Sequence, residues 1–296
     1  MKLLVLGGPT GTGKTQAAIH VACLWDAVII SADAMQVYRG MDIGTGKAPA
    51  SVLNRYPHVC VSVREPHERF DATDFSAMAD QAIQRASDDG RPVVVAGGTG
   101  FYLRVLLQGL VETPEADPTL RSELEAMPDP HAELARVDPV LAARLHPNDR
   151  VRIIRGLEVF RLSNRRLSDL HAEHAADERY EAVSLWLDRE DLDARIDARV
   201  MRMMERGYLE EVRGLLDAGV GRGEKPMCSL GYRHLAESLE EGLDLDEAVR
   251  RTQRDTRKFA RKQRTFLRSL GFPRVEASDR AQVLEAAEAA FGKKRR

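Results

Sequence analysis

The segment Gly8-Pro9-Thr10-Gly11-Thr12-Gly13-Lys14-Thr15 fits GxxxxGK[ST], between the apolar run Leu3–Leu6 and the helically spaced Lys14–Trp25. Strand, glycine loop and helix in that order are the setting of a phosphate-binding P-loop. The glycines let backbone N–H groups turn inward around a phosphate, and the helix start adds its positive end. Lys14 supplies a point charge and the Thr15 hydroxyl is the candidate Mg²⁺ ligand. The pattern asks for a di- or triphosphate without naming its carrier.

A P-loop ATPase also holds its metal with an Asp at the end of a neighbouring strand. Here the strand Pro92–Ala96 runs into Gly97-Gly98-Thr99-Gly100, and only Asp33 and Glu65 lie just beyond a predicted strand. Asp33, in Ser31-Ala32-Asp33-Ala34-Met35-Gln36-Val37-Tyr38, sits where it can take a proton from whatever attacks the bound phosphate ester. The plainer role for such an Asp is a turn or N-cap.

Two basic patterns follow. Arg195, Arg199, Arg202 and Arg206 recur on one helix face; Asp191, Asp193, Asp197 and Glu205 could neutralise them, or one could reach a diphosphate. Arg250–Arg268 holds nine Lys/Arg and one acid, Asp255, a segment of +8 that leaves −10 on the rest of a chain whose net charge is −2. On a helical wheel Arg250, Arg254, Arg257, Lys258, Arg261 and Arg264 cluster, with Phe259, Phe266, Leu267 and Leu270 opposite. With so few acids nearby, this stripe is expected to bind nucleic acid. Arg150, Arg152, Arg155, Arg161, Arg165 and Arg166 repeat the signal more weakly. His171 and His174 have no third ligand, and Ser229 has no G-x-S-x-G setting.

The elements that must position these groups read as an α/β fold. Strand-like runs at Leu3–Leu6, Ala27–Ile30, Val59–Val63 and Pro92–Ala96, with a helix over Asp74–Ser87, predict a parallel sheet flanked by helices. Such sheets bind ligands beyond the carboxyl ends of their strands. From about Val111 to Ala176 only helical pieces punctuated by Pro114, Pro118, Pro128, Pro130, Pro139 and Pro147 are seen, an inserted helical domain. Ala182–Leu187 then resumes the sheet, followed by helices over Leu192–Leu216, Leu230–Glu240 and Asp246–Leu270. The expected domains are 1–110 with 177–296, and 111–176; Lys293–Arg296 reads as a frayed tail.

The 296 residues, 43% hydrophobic and 30% charged, are those of a globular protein rather than a disordered, collagenous or membrane-embedded one. Cys23, Cys60 and Cys228 lack disulfide-framework or zinc spacing. Leu3–Leu6 is too short for a signal or membrane span. A cytoplasmic protein with no membrane partner, acting as a monomer, is expected.

The segments GGPTGTGKT, ISADAMQVYRGMDIGTGK, VVVAGGTGFYLRVLLQGL, HPNDRVRIIRGLEVFRLS, RIDARVMRMMERGYLEEV, SLGYRHL and TRKFARKQRTFLR, spread from residue 7 to residue 268, resemble the tRNA dimethylallyltransferase (tRNA isopentenyltransferase) family. The resemblance implies transfer of a dimethylallyl group from dimethylallyl diphosphate to N6 of the adenosine immediately 3′ of a tRNA anticodon, with Mg²⁺ as cofactor. It makes Asp33 the general base, Thr99 a contact to diphosphate and substrate, and Arg199 a catalytic-site arginine. Gly8 to Thr15 would hold the diphosphate and metal. Asp33, Ala34, Met35 and Gln36, Thr99, Arg121, Val151, Arg152, Ile153, Ile154 and Arg155, and Cys228, Ser229, Leu230, Gly231, Tyr232 and Arg233 match segments that face tRNA, to which the stripe adds Arg254, Lys258 and Arg261. Where the family commonly has Ser and Arg after the Asp, this chain has Ala34 and Met35, which puts the local tRNA hydrogen bonds in question. A P-loop kinase of a small metabolite would explain the P-loop but not the stripe. A nucleotide-gated RNA-binding protein would explain the stripe but leave Asp33 and Thr99 without roles.

Overall fold

A computed structural model of the chain describes residues 1–174 and 178–293. The expected boundary at Ala176 and the expected tail beyond Lys293 lie outside them. In chain order the elements are β1 (Leu3–Gly7), α1 (Lys14–Trp25), β2 (Val28–Ser31), α2 (Ala50–Arg55), β3 (His58–Val59), α3 (Ala72–Asp88), β4 (Val93–Gly97), α4 (Gly100–Gln108), α5 (Pro118–Glu125), α6 (Pro130–Val137), α7 (Pro139–Ala142), α8 (Arg150–Ser163), α9 (Leu167–Glu173), β5 (Ala182–Asp188), α10 (Leu192–Glu205), α11 (Tyr208–Asp217), α12 (Tyr232–Glu241), α13 (Leu245–Ser269), β6 (Arg274–Glu276) and α14 (Arg280–Phe291). They fall into two compact units, Met1–Leu107 with Glu178–Arg296, and Gln108–Asp177.

The first unit is built on a six-stranded sheet of order β3-β2-β4-β1-β5-β6, every pair parallel. β1 and β4 are buried throughout, as a sheet covered on both faces requires. Leu4, Leu6, Ile29 and Val94 pack with Ala18, Val21 and Ala22 of α1 and with Val283 and Ala287 of α14. Because all strands run the same way, the loops after β1, β2 and β4, which carry Lys14, Asp33 and Thr99, open at one edge of the sheet.

Several boundaries depart from the sequence reading for local reasons. The strand expected over Val59–Val63 ends at Val59, because Cys60 and Ser62 adopt positive φ (62° and 52°). The helix expected over Leu192–Leu216 is two helices, broken at Gly207, whose φ is 95°. β6 and α14 lay unseen within the C-terminal stretch.

Among the described residues the second unit holds helices and no strand. Its prolines start helices: Asp117-Pro118, Asp129-Pro130 and Asp138-Pro139 each place a capping carboxylate on backbone N–H groups and a proline in the first turn. Its core gathers Leu134, Leu141, Ile153, Ile154, Leu157 and Leu170. Buried Glu158 takes hydrogen bonds from the Asp117 N–H at 3.0 Å, Arg121 at 3.0 Å and Arg155 at 2.5 Å.

Candidate active site

Gly8 to Thr15 joins β1 to α1. Gly11 and Gly13 have φ of 86° and 98°, a conformation that side-chain-bearing residues rarely adopt, and Gly13 begins α1 without a capping side chain. The first-turn amides of α1 are thus left for an anion. Gly8, Pro9 and Thr12 are buried inside the loop, where the Thr12 hydroxyl donates to the Pro9 carbonyl at 2.9 Å. Thr10, Gly11, Gly13, Lys14 and Thr15 line a cavity of about 410 Å³.

Asp33 enters that cavity from the loop after β2. Its Oδ1 accepts from the N–H groups of Met35 (2.9 Å) and Gln36 (3.3 Å), which fixes the carboxylate in an Asx turn. Gln36 is held in turn by the Ser31 hydroxyl and by the Thr45 carbonyl. Thr99 does not line the cavity: its Oγ1 accepts from Ala34 N–H at 3.1 Å while its own N–H donates to the Ala32 carbonyl. Thr99 therefore orients the Asp33 loop from behind.

Arg195, Arg199, Arg202 and Arg206 line the opposite wall. Among the described residues they make no ion pair: of the four acids that the sequence offered them, Asp191 pairs with Arg189, Asp193 with Arg261 and Asp197 with Arg257, and Glu205 pairs with none of them. Arg195 donates to the Gly11 carbonyl at 3.3 Å. Burial holds the Arg199 guanidinium below its ordinary pKa, against the pull of Asp33. With Lys14 the wall sets five cations against one cavity carboxylate, Asp33; Lys47, also in the lining, is paired with Asp42 at 2.7 Å. A cavity so charged is built for a polyanion.

Lys14 gives a pH signature. Burial pushes its ammonium down to about 8, with Asp33 opposing the fall and Arg199 adding to it. A diphosphate is fully ionised near that pH, its last ionisation being at about 6. Affinity of the free protein for a diphosphate should therefore fall as pH rises through about 8, and Lys14→Arg should flatten this step in calorimetric titrations. The folded pKa lies below the unfolded one, so the unfolded chain binds more protons between the two. Stability of the ligand-free protein should accordingly rise with pH from about 8 toward 10.5.

The roof of the cavity was not legible in the sequence. Glu211 of α11 accepts from the N–H groups of Asp42 (2.8 Å), Ile43 (2.6 Å) and Gly44 (3.0 Å) and from the Tyr232 hydroxyl (2.6 Å). Buried Lys47 donates to the Tyr38 carbonyl, Asp42 and the Ser62 hydroxyl. Together they shape the loop whose Thr45, Gly46 and Lys47 reach the cavity. A Cβ at Gly44 would strike the Tyr208 ring, and Gly46 adopts φ of 64° beside the Arg199 guanidinium, which explains both glycines of Asp42-Ile43-Gly44-Thr45-Gly46-Lys47. Glu211→Gln sets an NH₂ group against N–H donors, so unfolding should become easier by about 1–3 kcal/mol. A denaturant midpoint equal to wild type would show that the anchor contributes nothing.

On α13 the expected shortage of partners is corrected. Arg250 and Arg251 pair with Glu247, Arg254 and Lys258 with Asp255, Arg257 with Asp197, Arg261 with Asp193, and Arg264 with Asp188; of the nine bases only Lys262 and Arg268 make no ion pair among the described residues. Arg254, Lys258 and Arg261 keep more than half of their side-chain surface exposed. Phe259, placed on the packing face by the wheel, is 43% exposed, while Ala260, Gln263 and Leu267 are buried. Gln263 ties α13 to the site: its Oε1 accepts from Thr10 N–H at 3.0 Å and its Nε2 donates to the Gly98 carbonyl at 2.8 Å.

Other expected RNA-facing positions divide. Ile153 and Ile154 lie in the core of the helical unit and Tyr232 is 1% exposed, so these side chains pack rather than meet a ligand. Gly231 is buried under Tyr208, with Leu230 partly covered beside it. Arg121 and Arg155 are committed to Glu158, and Arg152 to Asp149. Val151 is 83% exposed, Cys228 is exposed, Ser229 is half-buried with its hydroxyl on the Pro226 carbonyl, and Arg233 is exposed beside Asp255.

No group of three or more His, Cys, Asp or Glu that could hold a metal occurs among the described residues. The cavity instead offers oxygens of Thr15 and Asp33 next to the phosphate loop, a sparse hard-donor set that suits Mg²⁺, which takes one or two protein oxygens and completes its shell with phosphate and water. β4, beside β1, ends in glycines, and Asp188 at the end of β5, on the other side, is 3% exposed and bound to Arg264 and Arg274. Among the described residues no helix is long and apolar enough to cross a membrane.

Residues 36–270 match the sequence profile of a family described as IPP transferase. The chain is 45% identical over 271 residues to tRNA dimethylallyltransferase 1 of Citrifermentans bemidjiense, covering 90% of this chain and 89% of that one. It is 42% identical over 276 residues to the tRNA dimethylallyltransferase of Geobacter sulfurreducens, with the same coverage. Its structure is similar to that of the tRNA isopentenylpyrophosphate transferase of Bacillus halodurans, with TM-score 0.72, 31% identity and coverage of 98% and 96% of the two chains. It is also similar to a eukaryotic dimethylallyltransferase acting on tRNA, with TM-score 0.82, 26% identity and coverage of 97% of this chain and 77% of that one.

Proposed function

Since the chain belongs to the IPP transferase family, that of the tRNA dimethylallyltransferases, we propose that it transfers the dimethylallyl group of dimethylallyl diphosphate to N6 of the adenosine 3′-adjacent to a tRNA anticodon. The observation that carries this reading is a cavity in which a P-loop and a row of arginines without ion pairs among the described residues face one carboxylate, Asp33. Kinase chemistry would need a second metal-holding acid at the end of a strand beside β1, and neither neighbour supplies a free one.

The chemistry follows from the charges. The allylic C–O bond breaks with its electron pair leaving on the diphosphate, where Lys14, Arg199 and the loop amides stabilise it. N6 supplies the electron pair of the new C–N bond and its proton passes to Asp33. Mg²⁺, held through Thr15, would add charge stabilisation to the departing diphosphate. An adenine stacked in an anticodon loop must leave its stack to reach this cavity, so base extrusion is part of the cycle. The exposed Arg254, Lys258 and Arg261 would grip the RNA backbone, exchanging weak surface ion pairs for phosphates.

Incubation with labelled dimethylallyl diphosphate, Mg²⁺ and total tRNA should place label in the RNA. ATP hydrolysis stimulated by a small acceptor, with no label transferred, would replace this reading with the kinase.

A further inference from the structure

The cavity holds more positive charge than its donor can use. Five cations face one carboxylate, whereas a diphosphate ester brings about three negative charges and Mg²⁺ returns two positive ones. The surplus is not spread evenly. Lys14, Arg195 and Arg199 are partly buried near the phosphate loop, while Arg202 and Arg206 are exposed. Arg202 lies about 4.5 Å further along the axis of α10 than Arg199, and Arg206 caps the C-terminal end of the helix beyond it. Both line the cavity.

Unpaired charges normally find acids, and this molecule's other basic helix does: α13 takes Asp193 and Asp197 from α10 itself. Asp193 and Asp197 of α10 thus face α13 while its arginines face the cavity. Arg202 and Arg206 both press the charge of Arg199 downward, as close like charges do. Crowding of this kind is unfavourable in the empty protein and becomes favourable when an anion arrives.

We infer that Arg202 and Arg206 form a second phosphate subsite at the cavity mouth, which takes a backbone phosphodiester of the acceptor RNA next to the extruded base. The inference rests on the proposed function for the identity of the acceptor. An RNA strand fits better than a small free anion because the two arginines are solvent-exposed at the opening, where a polymer can lay a phosphate while its base goes in. Two forked guanidiniums one turn apart can share one phosphate bidentately or hold two neighbouring ones.

The test is the double variant Arg202→Gln/Arg206→Gln, read by RNA affinity across a salt series and by separate KM values for the two substrates. RNA affinity should fall about 10- to 100-fold, and its log-log salt slope should shrink by about 0.7 per lost contact. The KM for dimethylallyl diphosphate should stay within about 2-fold, and Arg202→Lys/Arg206→Lys should recover most of the salt slope, since charge is retained. A raised donor KM with an unchanged RNA slope would overturn the inference and assign the pair to the donor diphosphate. Loss of competitive inhibition by inorganic phosphate, with RNA affinity intact, would overturn it in favour of a free-anion site. Unchanged values throughout would leave two solvated arginines. RNA affinity is read without turnover, so a wild-type protein that binds RNA but transfers no prenyl group would fail the proposed function and still permit this test.

Discussion

Asp33→Asn should lower the turnover number by about 10²- to 10⁴-fold, the range for loss of a general base, with far smaller changes in the binding of tRNA and of dimethylallyl diphosphate. The adenine amine is a poor nucleophile because its lone pair is delocalised into the ring, and bonding to carbon makes it positive unless a proton leaves. Among the described residues Asp33 is the one carboxylate lining the cavity. The substitution is clean because Asn retains a carbonyl oxygen for the Met35 and Gln36 N–H groups, so the turn and its Thr99 support should survive. An allylic carbon that ionises well before attack needs less help from a base and would bring the effect toward the lower bound. Near-normal turnover, or a defect lying wholly in tRNA affinity, would make Asp33 a recognition residue.

Arg199→Gln should reduce kcat/KM for dimethylallyl diphosphate by about 10²- to 10³-fold, the usual consequence of removing one preorganised donor to a developing anion. It should not destabilise the empty protein. Arg199 has no ion-pair partner among the described residues, its charge is disfavoured by burial, and Arg202 and Arg206 repel it. The melting temperature of the ligand-free variant should equal or exceed that of wild type, as expected where function is built on locally unfavourable charge. A variant that melts well below wild type would mean that Arg199 is chiefly structural, and an unchanged kcat/KM would remove it from the donor site.

What could be read from the sequence is what depends on near neighbours along the chain. The P-loop declares itself through Gly11, Gly13 and Lys14 within eight residues, and the strand runs before Lys14, Asp33 and Thr99 suffice to bring these to one edge of a parallel sheet. The Asp-Pro steps of the helical unit carry their own caps. Where the reading fell short, the deciding partner was distant. A helical wheel orients α13 but cannot show that Asp193 and Asp197, about 60 residues earlier, neutralise part of its stripe; the same pairings strip α10's arginines of partners. Glu211 holds amides up to 169 residues away, and Gln263 reaches the P-loop across 253. Phe259 fell on the apolar side of the wheel, yet Ala260 and Gln263 are buried on α13 and Phe259 is not. β6 is three residues long, too short for a hydrophobic period to register.

The central claim is that one cavity joins a prenyl diphosphate to an extruded adenine. It is tested most directly by mixing the protein, loaded with labelled dimethylallyl diphosphate and Mg²⁺, with an anticodon stem-loop RNA, then digesting to nucleosides and measuring released diphosphate in the same sample. The account predicts label on N6 of the single adenosine 3′ of the anticodon, with one diphosphate freed per nucleoside labelled. Diphosphate release without labelled RNA, or label on any other base, would contradict it.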